Sequence, residues 1–214
     1  MTITKPENHQ IAIVGLGNPG LSYQKNRHNI GYNFLNYLAK KLGGSEWKIN
    51  KRCLAQISLT DLNNQKIILA KPTVFMNQSG KTVDLIRKFY NLSSQDIFIA
   101  HDDTDIRLGD FKIQYGRGSA GHKGVESIIQ HLKSKYFYRL RIGVRPSLYP
   151  SFPRQKAEKL VLKNFNDEEN QKIEKIFPII EEALMKTYIL NSKQSDGKPK
   201  PKKYLKSKHL RKDN

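Results

Sequence analysis

Apolar residues fall along this chain in short runs and in stripes of two different periods. Ile11-Ala12-Ile13-Val14 is a continuous apolar run that halts at a glycine-rich turn, and Ile30, Phe34, Tyr37, Leu38 and Leu42 follow near helical spacing, so the pattern predicts strand, loop, helix. Leu54 to Leu59 and Ile67 to Ala70 read as a strand pair around the polar turn Asp61-Leu62-Asn63-Asn64-Gln65, and Val83, Ile86, Phe89 and Tyr90 mark a second helix. Ile97 to Ala100 is a further buried strand, and Phe111 to Tyr115 has strand character. Val125, Ile128, Ile129 and Leu132 repeat the stripe of an amphipathic helix. Tyr138, Leu140, Ile142 and Val144 alternate with Arg139, Arg141 and Arg145, the pattern of a half-buried strand with arginines on its outer face. Ile173, Ile176, Phe177, Ile180 and Leu184 make a last helix, which Pro178 should kink or restart. Strands and helices thus alternate, which predicts an α/β fold: a single domain whose mixed, mostly parallel sheet carries helices on both faces.

Length and charge refine this picture. A chain of 214 residues supports one core, expected over residues 1–191. From Ser192 onward nine lysines and arginines stand against two aspartates, a net +7 interrupted by Gly197, Pro199 and Pro201. Such a stretch repels itself and buries little, so 192–214 is expected to be a mobile basic tail that touches phosphate non-specifically. Over the whole chain 38 Lys and Arg face 19 Asp and Glu, a formal +19 that favours a polyanionic partner such as nucleic acid. Cys53 is the only cysteine, which excludes an intrachain disulfide framework. No apolar run has the length of a membrane span, and Met1 to Glu7 lack the apolar stretch of a signal peptide, so a cytoplasmic monomer with no membrane partner is expected.

Gly15-Leu16-Gly17-Asn18-Pro19-Gly20 follows the first strand with the spacing of a dinucleotide-binding turn. That fold needs the turn to run straight into a helix and an acidic residue about 20 residues on. Here Pro19-Gly20 turns the chain, Tyr23 to Asn29 stay polar, and Asn36 and Lys40 occupy the acidic position's stretch. The glycines therefore serve something else.

The informative polar groups sit where strands end: Asn18 after the first, Asn77 after Lys71 to Met76, and His101-Asp102-Asp103 after Ile97 to Ala100. Carboxyl ends of strands are where open α/β sheets bind ligands. His28, just before a helix, is expected to reach the same edge. Gly15 to Gly20, Tyr23, Arg27 to Gly31, Lys71 to Gly80, His101 to Asp105 and Gly118 to Ser127 together resemble, in order and spacing, the successive signatures of bacterial peptidyl-tRNA hydrolases. The similarity spans roughly Ile11 to Leu190, everything but the two tails.

This resemblance implies an enzyme that hydrolyses the ester between a stranded nascent peptide and the 3′ end of its tRNA, recycling the tRNA, without metal or other cofactor. It implies that His28 is the base that activates water and that Asp102 supports it, roles that imidazole near neutral pH and a facing carboxylate suit. Asn77 resembles the family's substrate-contacting asparagine, whose amide can donate to the ester carbonyl as charge develops. Asn18 resembles a second such residue that holds the water or the peptide backbone, and Tyr23 and Met76 resemble cleft walls. Lys123 departs from the pattern, standing where the family usually has an asparagine. It has three donors and no acceptor, so it suits a phosphate or an oxyanion better than a water; activity is expected to survive, modestly altered.

Arg107, Lys112, Arg117, Arg139 and Arg141 are candidates to neutralise acceptor-stem phosphates, with Lys112 and Arg141 favoured because their segments flank the Gly118 to Gly124 loop. His28, His101 and His122 show no metal-ligand spacing on one element. No nucleophile elbow is present, and Cys53 falls at the start of an expected strand. A rival from another class, an RNA-binding relative without activity like the plastid splicing factors that resemble this family, would need none of His28, Asp102, Asn77 and Asn18 together.

Overall fold

The computed structural model describes residues 10–62, 65–146, 154–192 and 205–206. In chain order these form β1 (Gln10–Gly15), α1 (Ile30–Lys41), β2 (Lys48–Asn50), β3 (Ala55–Leu62), β4 (Gln65–Pro72), α2 (Ser79–Phe89), β5 (Ile97–Arg107), β6 (Phe111–Tyr115), α3 (Lys123–Leu132), β7 (Tyr138–Arg145), α4 (Arg154–Val161), α5 (Asp167–Ser192) and β8 (Leu205–Lys206). One sheet runs in the order β2-β3-β4-β1-β5-β7-β6-β8. The central pairings β4–β1, β1–β5 and β5–β7 are parallel, and the outer ones are antiparallel. This is the mixed sheet expected, with its parallel part at the centre.

Helices cover both faces. Ile11, Ile13, Leu69, Phe98 and Leu140 pack with Phe34 and Leu38 of α1 and Phe177 and Ile180 of α5. Ala12, Val14, Ile68, Ala70 and Ile99 pack on the other side with Val83 and Ile86 of α2 and Val125 and Ile128 of α3. Successive residues of a strand point to opposite faces, so a strand buried on both reads as a continuous apolar run, as Ile11 to Val14 does.

Four expectations change. β5 does not stop at Ala100 but runs on to Arg107, so His101, Asp102 and Asp103 are strand residues and not a loop after it, with an irregular register between Asp103 and Arg107. β7 has no solvent face of arginines: Arg139 is 2% exposed, flanked by β5 and β6 in a covered sheet. α5 continues through Pro178 without restarting. Pro178 lies on the exposed side, while Ile173, Ile176, Phe177, Ile180, Ala183 and Leu184 are buried, and their burial offsets the missing donor. Cys53 precedes β3 in a turn instead of a strand, and is fully buried. Within the expected tail 192–214, Ser192 closes α5 and 205–206 pair with β6; the rest of the tail lies outside the described residues.

Candidate active site

Because β1, β4 and β5 are parallel, their carboxyl ends share one edge, and the predicted residues gather there. Close backbone contact makes this possible. A Cβ on Gly31 would overlap the Ala100 carbonyl and the Leu16 backbone, so only glycine lets the start of α1 press on the β1–β5 seam. The preceding 3-10 turn, Arg27–Asn29, is locked from both sides. Arg27 is buried, its guanidinium bonded to both Glu169 carboxylate oxygens at 2.9 and 2.7 Å and lying 4.7 Å over the Phe165 ring. Asn29 accepts from the Asn18 backbone N–H and donates to the Asn18 carbonyl, each at 2.9 Å.

His28, between them, points its Nδ1 at Asp102 Oδ1, 2.7 Å away. The same oxygen lies 3.0 Å from His122 Nε2. His122 caps α3, its Nδ1 accepting from the N–H groups of Gly124 and Val125, which assigns the proton to Nε2 and makes it a donor to Asp102. One buried carboxylate thus holds two imidazoles. Its pKa is subject to burial, which raises it, but the two histidines prevail and hold it well below the usual carboxylate value. Burial works against charge on His28 as well; Asp102 outweighs it and leaves the pKa above 6.5, with Lys123 pulling the other way. Behind them His101, fully buried, packs edge-on against His122 at 4.6 Å and is kept neutral by burial, then by His122 and Arg139.

These groups open into a cleft of about 680 Å³ lined also by Asn18, Phe75, Met76, Asn77 and Lys123. Asn77 is exposed in the 3-10 turn Met76–Gln78 and does not cap α2. Asn18 accepts through Oδ1 from the Met76 N–H at 2.9 Å, so half of its amide is spent holding the neighbouring wall. Met76 is buried, and a Cβ on Gly124 would overlap its sulfur, which places it in the cleft floor. Tyr23 stands outside the lining and packs edge-on against Phe75, ring centres 6.4 Å apart. The far wall is α4, and Lys123 reaches it: Nζ is 3.0 Å from Glu158 Oε1, the side chains 63% and 70% exposed.

The favoured tRNA contacts are not brought together in the cleft. Arg141 is half-buried and committed to Asp103 at 2.5 Å and Gln114 at 3.0 Å, and Lys112 lies on β6, one strand further out. Arg139 is too buried to meet a phosphate, and desolvation lowers its pKa to about 10. His28, Asp102 and His122 offer three atoms within 4.8 Å of one another, a spacing that suits a metal ion, and His28 Nδ1 and His122 Nε2 are both engaged by Asp102 Oδ1.

His122, Phe75, Asn29 and Glu158 were not read from the sequence as parts of the site. Only His122 carries a signal: it stands where a capping residue is needed, immediately before a helical stripe.

A family model described as peptidyl-tRNA hydrolase matches residues 12–205. A peptidyl-tRNA hydrolase of Mycolicibacterium vanbaalenii is 36% identical over 181 residues, 84% of this chain and 90% of that protein. One from Clostridium perfringens is 34% identical over 189 residues, covering 88% and 96%. The solved structure of Acinetobacter baumannii peptidyl-tRNA hydrolase superposes with a TM-score of 0.75 at 29% identity, covering 85% of this chain and 91% of that one.

Proposed function

Since the chain belongs to the peptidyl-tRNA hydrolase family and hydrolyses peptidyl-tRNA, we propose that His28 is its general base, with Asp102 as the carboxylate that orients and charges it. The observation that carries this is the short bond from His28 Nδ1 to Asp102, which leaves Nε2 as the free lone pair toward the cleft. Nε2 takes a proton from water, the hydroxide adds to the ester carbonyl, and the resulting imidazolium returns that proton to the departing 3′ oxygen of the tRNA. Asp102 stabilises the imidazolium as it forms. The Asn77 amide donates to the developing oxyanion, and the Asn18 amide nitrogen, its oxygen being engaged by Met76, holds the water or the peptide backbone. Met76 forms the floor, and Phe75 supported by Tyr23 forms the wall against which the peptide lies.

The partner beyond the ester is the acceptor stem, bound through phosphate by Lys112 and Arg141, and by Lys123 at the rim. Backbone contacts of this kind suit an enzyme that serves many tRNA species. A binding constant insensitive to salt would rule this part out. No metal or cofactor takes part in this scheme. Its substrate arises during translation, which places the enzyme in the cytoplasm, and it works as a monomer.

Hydrolysis of N-acetyl-aminoacyl-tRNA tests the reading, with unblocked aminoacyl-tRNA as control. Cleavage of the blocked substrate alone, reduced about 10²- to 10⁴-fold by His28→Ala with KM little changed, is the expected result. Full activity in His28→Ala would eliminate the proposed base.

A further inference from the structure

α1 begins directly after the His28 turn, and one face of it holds the end of β4 at two successive residues. Tyr32 and Asn36 stand four residues apart, one above the other on that face. Asn36 Oδ1 accepts from Lys71 Nζ at 2.8 Å, and that ammonium lies 3.8 Å over the Trp47 ring. The half-buried Tyr32 donates its hydroxyl to the carbonyl of Pro72, the last residue of β4. Its ring rests on Gly17, where a Cβ would come within 2.7 to 2.9 Å of three ring carbons, so only glycine admits it. One side chain thus joins three segments: the helix that starts beside His28, the turn that carries Asn18, and the strand end that leads to Asn77.

Tyr32 is absent from the described lining of the cleft, so any part it plays in the reaction runs through its neighbours. Asn77 is the neighbour that needs support. It is exposed in a short 3-10 turn beyond Pro72. The Thr73 N–H donates to the Leu54 carbonyl at 2.8 Å, the Met76 N–H to Asn18 Oδ1 at 2.9 Å and the Gly80 N–H to Ser127 Oγ at 3.1 Å. These three bonds tie the segment to the turn before β3, to the turn after β1 and to α3. None of them ties it to α1, and the Tyr32 hydroxyl does. A base and an oxyanion donor must meet one ester group together, and a displacement of about 1 Å can cost about 10²-fold in rate. Burial raises the Tyr32 pKa above its ordinary value, so the hydroxyl keeps its proton and donates across the working pH range.

We propose that Tyr32 is a positioning residue for the hydrolysis: through the Pro72 carbonyl its hydroxyl sets where the Asn77 amide stands relative to His28 Nε2, and so how well the oxyanion is met. The proposal rests on the reading of His28 as base and Asn77 as oxyanion donor. It concerns the chemical step and not the affinity for tRNA, because Tyr32 lies away from Lys112 and Arg141 on β6 and β7.

The test uses the full chain as wild type, Tyr32→Phe, Asn77→Ala and the double variant. For each, kcat and KM are measured on N-acetyl-aminoacyl-tRNA below the lowest melting temperature of the four. Phe keeps the ring on Gly17 and removes only the donor. Asn77→Ala is expected to lower kcat about 10²- to 10³-fold. Tyr32→Phe should lower kcat about tenfold with KM unchanged within about twofold. The acid limb of its pH profile should stay in place, because Asp102 and Lys123, which act on the His28 pKa, are untouched. In the double variant the Tyr32→Phe loss should vanish, since a clamp on Asn77 then has nothing to hold. Tyr32→Phe at the wild-type rate beside a slow Asn77→Ala overturns the proposal and leaves the oxyanion reading standing. So does a loss carried by KM, or one that persists undiminished without Asn77, because the hydroxyl would then act through another group. Wild-type kcat in Asn77→Ala overturns the oxyanion reading and the proposal with it.

Discussion

Two carboxylates with partners at nearly the same separation stand at opposite ends of the cleft. At the floor, Asp102 meets His28 at 2.7 Å and His122 at 3.0 Å, with side-chain exposures of 3%, 14% and 9%. At the rim, Lys123 meets Glu158 at 3.0 Å, with exposures of 63% and 70%. Distance does not separate them; the surroundings do. In the floor the carboxylate is desolvated, the His122 imidazole is oriented by two backbone N–H groups, and removing a member leaves buried polar groups without partners. At the rim water competes for both charges and salt screens them, so the pair is cheap to open. The floor is therefore fitted for chemistry that needs one geometry, and the rim for groups that must change partners when a substrate arrives.

Breaking the floor should give the largest effect. Asp102→Asn keeps the shape but removes the charge that favours imidazolium, and is expected to lower kcat by about 10²- to 10⁴-fold. The pH profile adds a sign. Activity needs neutral His28, so kcat/KM of the wild type falls as pH drops through a pKa held above 6.5. Without Asp102, burial is left as the dominant influence and lowers that pKa, so the acid limb must move to lower pH. An acid limb that stays in place would mean that another group is titrating.

The buried pair that seats His28 comes next. Glu169→Ala would strand the Arg27 guanidinium beneath the His28 turn, where Arg27 and Glu169 are 7% and 11% exposed. Breaking such a pair costs about 3–5 kcal/mol, read as a fall in the denaturation midpoint. Arg27 also stacks on Phe165, so Arg27→Leu together with Glu169→Leu should recover much of the loss. If the double variant is as unstable as the single one, the cost belongs to the ring contact and not to the stranded charge.

What the sequence discloses follows the same division. Elements that bury an apolar pattern were legible: β1, α1, α2, α3 and the hairpin β3–β4 lie where their periods put them. The extension of β5 was not, because its second half, His101 to Arg107, carries the polar residues of the site, and those erase the apolar run that marks a strand. β7 misled for the converse reason: alternation with arginine resembles a solvent face, whereas Arg139 is buried between β5 and β6. In the site, His28, Asp102, Asn18 and Asn77 came from recognising five motifs in order, and the structure brings all four to one cleft. His122 and Glu158 escaped because their roles are relations across the fold, one to a carboxylate 20 residues away and one across the cleft.

The smallest effects should come from the rim. An exposed pair of this kind is worth about 0.2–1 kcal/mol, so Glu158→Gln and Lys123→Asn should each leave the melting temperature nearly unchanged and alter kcat/KM less than about tenfold. Their pH profiles should separate in sign. Lys123 opposes protonation of His28, so Lys123→Asn raises the His28 pKa and moves the acid limb upward. Glu158→Gln leaves Lys123 without its counter-charge, strengthens that opposition and moves the limb downward. High salt should shrink both shifts, since the charges at the rim are exposed while the Asp102–His28 pair is buried. A rise in turnover of several orders of magnitude in Lys123→Asn would break the contrast between rim and floor, because it would show that one exposed cation governs the chemistry of a buried base.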